Sequence, residues 1–307
     1  MPARVDRDRS LGALLGLGVG DALGAPYEGL PAAEARKLAG GAITEMTAAR
    51  GRRAGQATDD TEMAICLSRA VIASGGYDPQ LAASEYLAWF ETGPEGVGRT
   101  VAGVLERVRA GTPAYEAARE QHEESGGQSA GNGALMRTTP IAIAFAGNDR
   151  GLREATLDDA AVTHYDPLAG KAALLHNQVV SWCLTRGPGA PAEELRDPTW
   201  LDERLEDVAI SAFGGLRERA EERAATEGAF ALAALQVGLT AFFSAESFEE
   251  GVVWAVNLGG DCDTNAAVAG AMLGARFGAS AIPARWLDAL ERRADLEVLH
   301  GHLAKLA

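Results

Sequence analysis

Two short stretches of the chain concentrate oxygen ligands. Residues 257–270 read NLGGDCDTNAAVAG, with Asp261 and Asp263 one residue apart and Thr264 directly after them. Residues 55–70 read GQATDDTEMAICLSRA, with Thr58, Asp59, Asp60 and Thr61 in a row. In both, the carboxylates crowd the point where a helical pattern begins. One carboxylate there is accounted for by capping, because aspartate accepts the free N–H groups of a first turn and suits the helix dipole. Asp59, with Glu62 three residues later, also matches a capping box. Capping needs one acid per helix, and each stretch holds two aspartates. If the stretches meet in space, their carboxylates repel by an amount on the order of several kcal/mol unless cations intervene. Aspartate oxygens, threonine hydroxyls and retained water form the ligand set of Mg²⁺, or of Mn²⁺ in the same octahedral site. A calcium loop does not fit. Asp261, Asp263 and Asn265 match its first three positions, but Ala266 replaces the required glycine and Met272 stands where the bidentate glutamate belongs.

The elements that must position these groups are helical. After Gly259-Gly260 the spacing predicts a helix over 264–277, with Ala266, Gly270 and Gly274 at i, i+4, i+8 and Ala267, Ala271 and Ala275 beside them. A stripe of small residues lets another helix approach closely, which makes this helix central. Met63, Leu67 and Val71 give an apolar face to a helix over 60–74 that ends at Gly75-Gly76. Further helices are expected over 9–24, 79–91, 97–110, 134–146, 168–185, 203–224, 229–244, 248–256 and 283–293. Residues 119–124 read as a solvated helix end, and 186–198 as the most linker-like segment.

Composition agrees with a mainly α protein: 47% of residues are hydrophobic, 6% aromatic, and no long block alternates β-branched and polar residues. With 28 basic and 43 acidic residues, the net charge of −15 leaves no footprint for gripping a phosphate backbone, so nucleic acid is not expected as a general partner. An acidic protein that binds an anion needs local positive potential from metal ions or helix N-termini. Asp21 interrupts the apolar N-terminal stretch, and no run reaches the ~18 apolar residues of a membrane helix, so neither membrane insertion nor secretion is expected. Cys66, Cys183 and Cys262 are odd in number and widely spaced, which suits free thiols in a cytoplasmic setting.

Other motifs are less telling. GLGVGDALGAPYEG at 16–29 fails the dinucleotide fingerprint, since Asp21 or Leu23 occupies the third glycine position. Glu28, after Pro26-Tyr27, reads as a loop carboxylate. GQSAG at 127–131 matches a nucleophile elbow around Ser129, but that motif needs a strand before it, where this chain has a charged segment. A serine hydrolase using Ser129 stands as a rival. SAGNGALMR, residues 129–137, reads as a Gly/Asn loop that offers backbone N–H groups to an anion, or as a plain turn. His164, in THYDP, is by itself a surface or packed histidine.

Taken together, LLGLGVGDALGAPYEG, TDDTEMAICLS, SAGNGALMRTTPIAI, VTHYDP, NLGGDCDTNAAVAGAMLGARFG and IPARW appear in the order and approximate spacing of the ADP-ribosylglycohydrolase family, which this chain resembles over residues 11 to about 290. TDDT and GGDCDT carry the resemblance in combination. It implies a compact all-α orthogonal helical bundle, a single domain over 1–307, and two divalent cations, Mg²⁺ or Mn²⁺, in a cleft. It also implies hydrolysis of the bond between ADP-ribose and an acceptor, with ADP-ribosylarginine in protein as the leading substrate, a small ADP-ribosyl conjugate as another, and ADP-ribose as product. Carried over, the metal ligands are Thr58, Asp59, Asp60, Asp261, Asp263 and Thr264. Glu28 resembles the glutamate beside the reacting ribose, with Asp60 and Asp261 as its catalytic companions. Ser129, Gly131, Asn132, Gly133 and Met136 resemble the ADP-ribose loop, and His164 the histidine next to it. Two departures stand out. Gly96, in GPEGVG, replaces an aspartate that many relatives have, and GAFALAAL at 228–235 lacks the aromatic expected after the glycine, so the packing on the adenine side is expected to differ. A non-catalytic ADP-ribose-binding member of the same fold is the second rival, and it would be expected to have lost metal ligands.

Overall fold

The computed structural model describes residues 5–199 and 201–307; residues 1–4 and 200, which the expected domain takes in, lie outside the described residues. Among the described residues the chain is all-α, with 18 helices and one pair of two-residue strands, Leu30–Pro31 and Gly259–Gly260, joined antiparallel. In chain order the helices are α1 (Arg7–Gly24), α2 (Ala32–Ala39), α3 (Asp59–Ser74), α4 (Pro79–Glu91), α5 (Arg99–Arg109), α6 (Ala114–Glu124), α7 (Gly133–Met136), α8 (Thr139–Ala144) and α9 (Asp149–Thr163). There follow α10 (Pro167–Arg186), α11 (Ala190–Glu194), α12 (Glu203–Phe213), α13 (Arg217–Glu227), α14 (Ala231–Ser244), α15 (Phe248–Val256), α16 (Cys262–Phe277), α17 (Ala284–Ala289) and α18 (Arg293–Leu303). None of them is long and apolar enough to cross a membrane.

The fold is organised around the contact between α1 and α16. Gly12, Gly16, Gly20 and Gly24 on α1 lie against Gly274, Gly270, Ala266 and Asp263 on α16, so the two helices run antiparallel. A methyl group added at Gly20 would stand 1.9 Å from the Ala266 carbonyl oxygen, and one at Gly16 would stand 2.1 Å from that of Gly270. Only glycine allows the backbones this close. The stripe expected on α16 therefore has a matching stripe on α1, within a stretch whose glycines had suggested only a failed nucleotide motif. Helices α14 and α15 pack on α16 as well, and its small side chains are buried. The antiparallel arrangement brings the C-terminal end of α1 to the N-terminal end of α16. Both acidic stretches and Asp21 are gathered at that end.

Several expected helices differ in extent. The one expected over 134–146 is two short helices, since Pro140 has no N–H to donate and opens α8 instead. That over 203–224 is broken at Gly214-Gly215, where Gly215 takes a left-handed φ of 66°. The 283–293 segment ends at Ala289, and α18 begins at Arg293. Helices α2, α9 and α18 were not expected, and of α6 only the charged end over 119–124 was. In α9 the buried face is made largely of alanine and threonine, which leaves little apolar periodicity to read. The linker-like 186–198 segment holds α11 and the buried Leu195.

Candidate functional site

The carboxylates at the two helix starts do not cap. Thr58 occupies the cap position of α3 and Asp261 that of α16, and neither side chain accepts a first-turn N–H. Glu62, the reciprocal member of the expected capping box, instead accepts a hydrogen bond from Trp89 Nε1 at 2.6 Å. The acids turn toward one another. Oxygens of Asp21, Asp60 and Asp263 lie within 4.8 Å of each other, and so do those of Glu28, Asp261 and Asp263. The two groups share Asp263. Thr58 Oγ1 and Thr264 Oγ1 lie 3.2 and 3.3 Å from Asp60 Oδ2, which places the two threonines of the TDDT and GGDCDT motifs on one carboxylate.

Asp21 is the residue that sequence reasoning left out of the site. It is fully buried, and it accepts hydrogen bonds from the backbone N–H groups of Thr58 (3.0 Å) and Thr61 (3.1 Å) and from the hydroxyls of Thr58 (2.7 Å) and Thr61 (2.5 Å). It thereby ties the start of α3 to the end of α1. The available signal was an aspartate inside an otherwise apolar helix, which is seldom buried without partners.

Burial without a counter-charge shows in the electrostatics. Desolvation, reinforced by neighbouring acids, raises the pKa of Asp60 and Asp263 well above the usual carboxylate value. Asp21 and Asp261 are also raised, by desolvation against the pull of their hydrogen bonds. Asp59 is pushed up to about 8 by burial and then by Asp21, Glu28 and Asp261. Glu28 is raised by burial and Asp261, with Arg52 pulling it back from 3.8 Å. Asp60 Oδ1 and Asp263 Oδ1 are buried and have no hydrogen-bond partner. Unsatisfied buried carboxylate oxygens are rare in proteins, and hard oxygen donors in this density fit a divalent cation. The cluster is able to hold metal ions.

Beside the cluster opens a cavity of about 570 Å³. Glu28, Asp59, Asp261, Asp263 and Thr264 form its acidic floor, and Gly131, Asn132, Gly133, Met136 and His164 line its wall. Asp60, buried at 1% exposure, stands behind the floor. The wall loop is held by main-chain bonds from Asn132 N to Ala229 O and from Ala231 N to Ala130 O, each 3.0 Å. Asn132 Nδ2 donates to Asp261 Oδ2 at 2.6 Å, coupling the loop to the acids. Ser129 is not brought to the cavity. Its hydroxyl is buried against His122 Nδ1 at 2.7 Å, and the segment before it is α6, with no strand to make a nucleophile elbow. Phe230, two residues after Gly228, lines the cavity under the Arg204 guanidinium, whose central carbon is 5.5 Å from the Phe230 ring centroid. Gly96 also lines the cavity, and a methyl group added there would stand 3.3 Å from Arg52 Nη2 and 3.9 Å from Glu28 Oε2. Cys262 points away from the acids, toward the Gly24 carbonyl oxygen at 3.6 Å.

Known proteins match this chain from end to end. The profile of the ADP-ribosylglycohydrolase family matches residues 2–307. The ADP-ribosyl-dinitrogen-reductase glycohydrolase of Rhodospirillum rubrum is 32% identical over 300 residues, which cover 95% of this chain and 93% of that protein. The ADP-ribosylarginine hydrolase Tri1 of Pseudomonas putida is 28% identical over 286 residues, covering 92% of this chain and 74% of that one. A solved structure described as an ADP-ribosylglycohydrolase-related protein complex superposes with a TM-score of 0.78 at 33% identity, covering 98% of both chains. The helical architecture and the sequence thus agree over nearly the whole length, and the chain belongs to the ADP-ribosylglycohydrolase family of hydrolases.

Proposed function

We propose that the chain, as a single domain, hydrolyses the bond between the distal ribose of ADP-ribose and an arginine side chain in a modified protein, releasing ADP-ribose. The observation that carries this reading is the acidic cluster that opens onto the cavity while two of its buried oxygens lack partners. The arginine acceptor is taken from the relatives, one of which is described as an ADP-ribosylarginine hydrolase. The three cysteines are buried free thiols, which suits a reducing cytoplasm.

Thr58, Asp59, Asp60, Asp261, Asp263 and Thr264 would hold two Mg²⁺ or Mn²⁺ ions, with Asp21 fixing the first group from behind. Bound there, such ions orient substrate hydroxyls and make water more acidic. The chain's own residues do the rest. Glu28, at the mouth of the cluster, accepts a proton from the attacking water or aligns it, and burial beside Asp261 raises its pKa, which makes it a stronger base than a free carboxylate. The carboxylates of the floor stabilise positive charge as it develops at the anomeric carbon. The Gly131–Gly133 loop and His164 bind the nucleotide part and keep it in line with that floor.

A panel of defined ADP-ribosylated substrates, assayed with and without EDTA, tests the proposal. Wild type should release ADP-ribose from ADP-ribosylarginine protein only when Mg²⁺ or Mn²⁺ is present. Asp60→Ala and Glu28→Gln should lose on the order of a hundredfold or more in turnover, as removal of a general base or a metal support does. Undiminished turnover by Asp60→Ala would overturn the ligand assignment. The same panel decides between catalysis and binding alone, because a non-catalytic member would bind ADP-ribose and release none.

A further inference from the structure

Behind the cavity wall a chain of polar groups runs from the protein interior to His164. Asp159 is fully buried and accepts hydrogen bonds from Tyr86 Oη (2.7 Å) and Arg137 Nε (3.0 Å). Arg137 is also fully buried, with its guanidinium carbon 4.5 Å from the centroid of the Tyr86 ring. Its Nη1 donates to Thr163 Oγ1 at 2.8 Å and to the Gly133 carbonyl oxygen at 3.1 Å. Thr163 Oγ1 in turn lies 2.9 Å from His164 Nδ1.

The direction of these bonds follows from the groups themselves. A guanidinium has donors only and keeps its charge in proteins. The Thr163 hydroxyl must therefore accept from Arg137, and its single hydrogen has His164 Nδ1 within reach as an acceptor. When that hydrogen is spent on Nδ1, the nitrogen is the acceptor and the ring proton sits on Nε2; the second lone pair of the hydroxyl is what the alternative tautomer would use. Nε2 faces the cavity loop: a methyl group built on Gly131 or Gly133 would stand 3.2 or 3.3 Å from it. Those two glycines keep the nitrogen open to the cavity. Turning the ring over would set a carbon against the Thr163 hydroxyl and forfeit the bond. Burial, and then the Arg137 charge, lower the His164 pKa to about 3, so the ring stays neutral.

We propose that Asp159, Arg137 and Thr163 form a relay that fixes His164 as its Nε2–H tautomer, so that it presents one uncharged hydrogen-bond donor to an oxygen of the bound ligand. Arg137 and Thr163 are positioning residues that act through His164. The inference rests on the proposed function only for what fills the cavity; the tautomer is a property of the protein alone.

Nitrogen-15 NMR of the full chain labelled at histidine tests it, with the His164 signals assigned by their loss in His164→Gln. At neutral pH, wild type should show a protonated Nε2 and a bare Nδ1. Thr163→Val keeps the shape of the side chain and cuts the relay; it should populate both tautomers and weaken ADP-ribose binding roughly three- to tenfold, the worth of one net hydrogen bond. Thr163→Ser should restore the tautomer and the affinity. This pair avoids Arg137→Leu, which would strand the buried Asp159 charge and threaten folding. A proton on Nδ1 in wild type, or an unchanged tautomer in Thr163→Val, overturns the relay. If ADP-ribose fails to bind even wild type, the proposed function falls, and the NMR signals still decide the tautomer.

Discussion

At the scale of single residues, the acidic cluster should make stability depend on pH and metal together. Asp60, Asp263 and Asp59 all have folded-state pKa values raised above the unfolded value of 3.8, to about 8 for Asp59. A group raised on folding contributes stability that is fully present below its unfolded pKa and is lost as pH rises through the folded one. Protein kept in EDTA should therefore lose stability as pH climbs from about 4 to about 8, while saturating Mn²⁺ should flatten or reverse that slope. His164 and His176, both lowered to about 3 by burial, act in the other direction and weaken the fold as pH falls below 6.5. Neither histidine is in the cluster, so the difference between urea midpoints with Mn²⁺ and with EDTA isolates the carboxylates. A difference that does not grow with pH would contradict the assignment. Asp21 allows a second residue-scale prediction. Asp21→Asn presents an amide to two N–H groups and two hydroxyls that now donate to a carboxylate. The groups that orient metal ligands are typically worth ten- to a hundredfold in affinity, so Mn²⁺ binding by calorimetry should weaken by about that much. Unaltered affinity would make Asp21 a purely structural acid.

At the scale of elements, the α1–α16 contact sets how close the Asp21 end of α1, which holds the start of α3, comes to the acidic start of α16. Gly20→Ala forces a methyl group against the Ala266 backbone, which cannot yield cheaply. Overpacking of this kind costs about 1–3 kcal/mol, more than the gain of about 1 kcal/mol from replacing a helical glycine. Gly18→Ala is the control, since its methyl group would meet chiefly the Leu296 side chain, at 2.9 Å. The denaturation midpoint should drop clearly for Gly20→Ala and much less for Gly18→Ala, and Mn²⁺ affinity should drop only for the former. The same contact shows what a sequence discloses. The stripe of Ala266, Gly270 and Gly274 was legible because its four-residue period is local. The matching Gly12, Gly16, Gly20 and Gly24 stripe has the same period but hid inside a glycine-rich run that invites comparison with nucleotide loops. The two acidic stretches at 58–60 and 261–264 could be read from density of charge. The buried role of Asp21 could not, because it depends on Thr58 and Thr61 arriving from a separate helix. Helix α9 went unseen because its buried face mixes alanine, threonine and Asp159 with only Leu152 and Val162 as large apolar residues, which leaves little periodicity to read.

At the scale of the whole molecule, the net charge of −15 opposes the approach of any anionic ligand. Within the cavity the helix N-termini and the loop amides offset that field, and cations held by the acidic cluster would add to them, but all act over short range. At longer range an incoming pyrophosphate meets the acidic surface first. Salt screens that repulsion, with a Debye length of about 10 Å at 0.1 M. With metal held at saturation, kcat/KM for an ADP-ribosyl substrate should therefore rise as monovalent salt increases from low concentration, while kcat stays level. A basic protein binding the same anion would behave in the opposite way. The measurement is a series of initial rates in increasing NaCl at fixed free Mn²⁺, with a neutral-salt change of viscosity controlled. Falling kcat/KM would mean that positive potential reaches well beyond the cavity, and that the Arg99 and Arg204 side chains lining it, with Arg50 and Arg52 against Glu28, govern encounter instead of the summed charge of the surface.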